Sequence, residues 1–228
     1  MSSPFSPSGL LLQSVAWLIA GLALGGAFLS LPWAYARPYS RLGDPSRQHL
    51  WCAAVVILAC LWAFSGWAQD GPVLHPLGAA LLCALFGWRL ALLALYCVVA
   101  LATLALDLSF ADTGIRLIAF AIAPVAATAC VQTGLARFRS DRHGFVIGHG
   151  TVAAAVSVLA SQGCLFALRW LLDLRPAPAS GGLLFYIALL LVGECLLNGG
   201  LAAVLATMRP AWLKSTQAFT PGSSARRR

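Results

Sequence analysis

Charge is what this sequence has least of. Aspartate and glutamate together number 7 and lysine plus arginine 15 among 228 residues, so 10% of the chain is charged against 60% hydrophobic. A soluble domain carries roughly a quarter of its residues as charges, which excludes an ordinary water-exposed globular surface. Disorder is excluded by the same figures, because a disordered chain combines low hydrophobicity with high charge. Lys214 is the single lysine, and no GxxxxGK, GxSxG or HExxH occurs. The chain therefore lacks the usual phosphate loop, serine nucleophile and zinc-protease signatures, and any ATP hydrolysis belongs to another subunit. It also has no CxxC, and its seven cysteines fall inside or near apolar stretches. That placement predicts small buried thiols rather than disulfides, zinc, iron–sulfur or haem ligation. The four histidines form no HxxxH pair, and no cofactor is identified. Together these absences point to a non-catalytic protein.

What is present is a succession of apolar runs, with a mean hydropathy of +0.84. They fall at about 10–34, 49–67, 74–87, 89–106, 115–136, 144–171 and 182–208. Runs of this kind form transmembrane helices, so the expected fold is all-α, a polytopic bundle in a lipid bilayer. Residues 74–106 admit two readings, one long helix or a tight pair of short spans around Gly87, Trp88 and Arg89. Charge parity chooses between them. Arg37, Arg41 and Arg47 follow the first run, Arg137, Arg139 and Arg142 follow the fifth, and Arg209, Lys214 and Arg226–Arg228 close the chain. The positive-inside rule places all three groups on the cytoplasmic side, which requires an even number of crossings between them. That condition holds when 74–87 and 89–106 are counted separately. The expectation is seven helices with the N-terminus outside and the C-terminus inside. Residues 1–214 form one transmembrane domain, and 215–228 form a basic, flexible cytoplasmic tail. The net charge of +8 is then explained by topology and anionic lipid rather than by nucleic acid.

Polar residues within apolar runs carry the functional signal, since an ionisable group in hydrocarbon must face protein, water or a partner. Glu194 lies near the middle of the last run, and Asn198, four residues on, shares its helical face. Gly193, Gly199 and Gly200 allow a backbone or ligand to approach that face. Two readings fit: a solute, cation or proton site, or a hydrogen-bonded glutamate that fixes packing against Arg116, Arg169 or His149. His75-Pro76-Leu77-Gly78 opens the third run, where the imidazole can bind a metal, accept a proton or cap a carbonyl. Asp107, Asp112 and Arg116 are expected on the same external side, lining an outward mouth or making interfacial salt bridges. The candidate substrate-binding set is Glu194, Asn198, His75, Asp107 and Arg116.

The stretch His75-Pro-Leu-Gly-Ala-Ala-Leu-Leu-Cys-Ala-Leu-Phe-Gly-Trp-Arg89, the Pro124 helix, Gly193-Glu-Cys-Leu-Leu-Asn-Gly-Gly200 and Met208-Arg-Pro-Ala-Trp212 carry a resemblance. Over about residues 70–214 the chain resembles a bacterial membrane family distantly related to the substrate-capturing subunits of cobalt/nickel energy-coupling-factor transporters. The resemblance implies a seven-helix bundle in the bacterial inner membrane, an outward N-terminus and an intramembrane substrate pocket. Transition-metal members begin with Met-His and place that terminus in the metal site, whereas this chain starts Met1-Ser2-Ser3-Pro4. Of their internal histidine motif, His75 is the matching position. Two functions follow: a substrate-binding or transport subunit for a small solute or cation, or an accessory or assembly subunit among other membrane subunits of a larger complex.

Overall fold

A computed structural model describes residues 16–17, 19–27, 44–67, 77–135, 142–171 and 182–209. All regular structure among the described residues is helical, in seven helices. Helix α1 covers residues 16–27 apart from 18, α2 Pro45–Trp67, α3 Ala79–Phe86 and α4 Trp88–Leu106. Helix α5 runs through Phe110–Arg116, a π-helical segment Leu117–Ile122 and Ala123–Leu135. Helix α6 is built the same way, from Arg142–Phe145, a π-helical Val146–Val152 and Ala153–Leu171, and α7 is Gly182–Met208. Among the described residues, five helices are long and apolar enough to cross a membrane: α2, α4, α5, α6 and α7. Residues 172–181, His75 and the segment 215–228 lie outside the described residues.

The packing is that of a bundle in an apolar solvent. Leu184, Phe185 and Leu196 of α7 are more than 70% exposed, while the interior is lined by small and branched residues. Helix α4 occupies the centre and buries Leu90, Ala91, Leu92, Ala94, Leu95, Val98 and Val99. Trp62 of α2 is buried and meets Phe120 edge-on at 6.0 Å. The Tyr96 hydroxyl of α4 donates to the Gly21 carbonyl of α1 at 2.8 Å, so α1 packs closely on the central helix. The seven cysteines are all free, but the expectation that they are buried holds for Cys83 and fails for Cys52, Cys60, Cys97 and Cys130, which are exposed. A thiol is apolar enough to face lipid, so periodicity within a uniformly apolar run does not say which way it points.

The stretch 74–106 corrects the expected pair of spans. The Trp51 indole N–H donates to the Leu90 carbonyl at 3.1 Å, joining the second turn of α2 to the first turn of α4, and the two helices pack against each other. They therefore run in the same direction, and the chain returns across the bundle between Trp67 and Trp88, as the charge parity requires. The helical part of that return is short. Helix α3 has 8 residues, about 12 Å of rise against a hydrocarbon core of roughly 30 Å. The break that shortens it is Gly78, at φ 63°, a left-handed conformation in which a Cβ would also lie 3.1 Å from the Leu58 side chain. At its other end the chain turns at Gly87, and α4 begins at the next residue. Residues 74–87 have the composition of a span, but helix α3 has less than half the length of one.

Candidate functional site

Helix α3 starts inside the bundle and has a problem that follows from its position. The first N–H groups of a helix have no intrahelical partner, and within a bilayer no water replaces one. Gly78, its N-cap residue, has no side chain to offer. The missing acceptors come from α7. Glu194, the one glutamate of the sequence, is 2% exposed at the middle of that helix, and Asn198 is 1% exposed one turn on. Glu194 Oε1 accepts the Leu77 N–H and, at 3.4 Å, the Gly78 N–H. Asn198 Oδ1 accepts the Leu81 N–H at 3.2 Å. The Asn198 amide nitrogen donates to Glu194 Oε2 at 2.5 Å and to the Glu194 carbonyl at 2.9 Å, which locks the two side chains together. A carboxyl group here also faces the positive end of the α3 dipole.

Two further helices brace this arrangement. Gln132 of α5 donates to the Ala80 carbonyl at 3.2 Å and to the His149 carbonyl at 3.5 Å, tying α3 to the π-helical segment of α6. On the other side of that segment, α6 and α7 touch through glycine. A Cβ on Gly150 would lie 3.0 Å from Ala202 Cβ and 3.1 Å from Gly199 Cα. Backbones this close leave no room for a side chain, and the contact sits directly beside Asn198. His149 stacks on Phe145 at 4.9 Å. Thr128 Oγ1 on α5 and Ser161 Oγ and His149 Nδ1 on α6 are buried without a hydrogen-bond partner among the described residues.

The expected site residues thus fall into two places. Glu194 and Asn198 come together with Leu77-Gly78, the second half of the His75-Pro76-Leu77-Gly78 motif, while His75 itself is outside the described residues. The partners of Glu194 are backbone N–H groups and Asn198, rather than Arg116, Arg169 or His149. Asp107 is the exposed C-cap of α4, at φ 49°, and Arg116 lies on α5 beside Asp112. Because α4 runs back along α3 from the Gly87 turn, Asp107 lies beyond the level of Gly78 by about 11 residues, or roughly 16 Å. Asp107 and Arg116 flank the far end of the bundle, where Thr103 and Thr113 meet at 3.1 Å. Gln132 was not singled out from sequence, although an amide inside an apolar run was a signal that could have found it. Among the described residues no group of three or more His, Cys, Asp or Glu side chains converges on one point.

Residues 7–212 match the family model described as CbiM: Cobalt uptake substrate-specific transmembrane region. No curated protein and no solved structure matches the chain.

Proposed function

Since this chain belongs to the CbiM family of substrate-specific transmembrane regions, we propose that it captures a divalent transition-metal cation, cobalt or a close chemical relative, for a bacterial uptake system. Membership makes it a membrane substrate-capturing subunit and not an enzyme. Cargo, site and partners are our reading. The observation that carries it is the start of α3, held within the bundle by Glu194 and Asn198 immediately after His75-Pro76. His75 is the proposed side-chain ligand, since a neutral imidazole suits cobalt and nickel. Glu194 and Asn198 are positioning residues, because their polar atoms already hold α3. Asp107 and Arg116, with Asp112, are proposed to line the outward mouth.

Orientation follows from charge. Arg47 at the start of α2, Arg89 at the start of α4 and Arg209 after α7 share one end of the bundle, which the positive-inside rule assigns to the cytoplasm. The N-terminus is then outside and the C-terminus inside, in a bacterial inner membrane, with 1–214 as the transmembrane domain and 215–228 as the basic cytoplasmic tail. Without a phosphate loop in this chain, the energy for uptake comes from an ATP-hydrolysing partner subunit.

Calorimetric titration of the purified full-length protein with cobalt tests the reading. The wild type is expected to bind stoichiometrically and His75→Ala to lose binding. Glu194→Gln keeps an acceptor for the α3 N–H groups but turns an amide N–H₂ towards that of Asn198. It is therefore expected to weaken binding by about tenfold, as a displaced supporting residue does. Equal affinity in the wild type and His75→Ala, or no cation binding by the wild type, would overturn the proposal.

A further inference from the structure

Two arginines stand at the end of the bundle opposite Arg47, Arg89 and Arg209, the end that the orientation argued above makes the outer one. Basic residues are scarce on that side of membrane proteins, so Arg116 of α5 and Arg169 of α6 call for a reason. Helices α5 and α6 pack antiparallel, Leu117–Ile122 against Ala153–Leu171 and Ala123–Leu135 against Val146–Val152. The bond from Gln132 to the His149 carbonyl fixes their register. Arg116 lies 16 residues before Gln132 and Arg169 lies 20 after His149. Those stretches are about 24 and 30 Å of helix, so the two arginines come within roughly one turn of each other in height. The charges that act on Arg116 are accordingly those of Asp112 and Arg169.

The acid of this group is already committed. Asp112 accepts the Ser109 hydroxyl at 2.7 Å as part of the α5 cap. Among the described residues neither guanidinium donates a hydrogen bond. Two positive charges against one negative leave an excess of a single positive charge. Depth identifies the anion that answers it. Trp170, next to Arg169, is 73% exposed, and Phe166, three residues before Arg169 on the same helical face, is 57% exposed. Exposed aromatic rings at the end of a spanning helix mark the headgroup level, so Arg169 stands over a lipid-facing ring at the depth of the phosphates. We propose that Arg116 and Arg169 form a site for a phospholipid phosphate, with an acyl chain lying along the Phe166 face of α6. Guanidinium groups match phosphate oxygens in pairs, and one phosphodiester charge balances the excess. Phosphatidylglycerol brings that charge alone, whereas phosphatidylcholine brings a cation with it. A bound phosphate also cancels a positive pair that repels a divalent cation from the outward mouth. That consequence rests on the proposed cargo; the site itself does not.

Native mass spectrometry of the full-length protein, titrated with phosphatidylglycerol and in parallel with phosphatidylcholine, tests this. Preferential retention of phosphatidylglycerol is expected. Arg116→Gln together with Arg169→Gln should lower its affinity roughly 30-fold, at about fivefold for each charge removed near a membrane surface. Asp112→Asn keeps an acceptor for the Ser109 hydroxyl and removes the opposing charge, so it should raise the affinity about fivefold, a gain that no loss of folding produces. Affinity unchanged in the double variant, or lowered by Asp112→Asn, would overturn the proposal, as would equal retention of the two lipids. So would displacement of the lipid by millimolar inorganic phosphate, which assigns the arginines to a soluble anion.

Discussion

Helices α3 and α5 solve the same problem in opposite ways. Helix α5 is capped by its own sequence. Ser109 Oγ accepts the Asp112 N–H at 3.1 Å, and its hydroxyl donates to Asp112 Oδ2 at 2.7 Å, a reciprocal cap closed within four residues. Both residues are exposed, and water stands ready to replace either bond. Helix α3 is capped by Glu194, 117 residues beyond Leu77 in the chain, at a place where nothing replaces it. The same number of orphan N–H groups costs little at a surface and much in the bilayer interior. A cap of the first kind sets where a helix begins. One of the second kind also sets which helices stand next to each other.

The contrast can be broken or sharpened by substitution. The largest effect is expected from Glu194→Leu, which leaves the Leu77 and Gly78 N–H groups and one Asn198 donor bond unpaired. At ~1–3 kcal/mol for each of these three groups, the loss should total about 3–9 kcal/mol, read as unfolding in mixed micelles. Gly150→Ala acts on the contact that presents α7 to α3. The added methyl would lie closer to Ala202 and Gly199 than van der Waals contact allows, and ~1–3 kcal/mol should be lost in the same measurement. Ser109→Ala removes the surface cap and should cost about 1 kcal/mol. If it costs as much as Glu194→Leu, the distinction between buried and surface caps fails.

The smallest effect concerns the third helix start, at Asp44. Its carboxyl accepts the Ser46 N–H at 3.0 Å. Side-chain and backbone hydrogen bonds from Ser46, aided by Arg47, hold it below its ordinary value of 3.8. A depressed value means that the contribution is complete above the unfolded value and is lost as pH falls through the folded one. Hydrogen exchange at the Ser46 amide should therefore lose protection only on acidification below the ordinary carboxylate range, while the α3 amides stay protected.

Much of this architecture was legible because it depends on composition. Runs of leucine, alanine and valine located the five long helices, and the arginines required the chain to return between α2 and α4. The i, i+4 spacing of Glu194 and Asn198 marked their shared face, and the apolar surroundings marked them as residues needing partners. What they bind was not legible, because backbone N–H groups have no sequence signature and Leu77 is remote in the chain. The shortness of α3 was hidden for a related reason. Gly78 followed by alanine and leucine reads as a continuing helix until its φ of 63° is known. Both π-helical segments escaped notice too, since one added residue in a turn leaves an apolar run unchanged in length and hydropathy.

The distance in sequence between α3 and its cap has a consequence in time. At ~5–20 residues per second, synthesis reaches Glu194 roughly 6–23 s after Leu77 has been made. An eight-residue helix is too short to be inserted as a span of its own. It must enter the membrane as an appendage of α4, with its leading amides unsatisfied until α7 arrives. A nascent chain halted before Glu194 should therefore be the form most exposed to membrane proteases and chaperones. Arrival of α7 is the event that turns a loose hairpin into a finished wall.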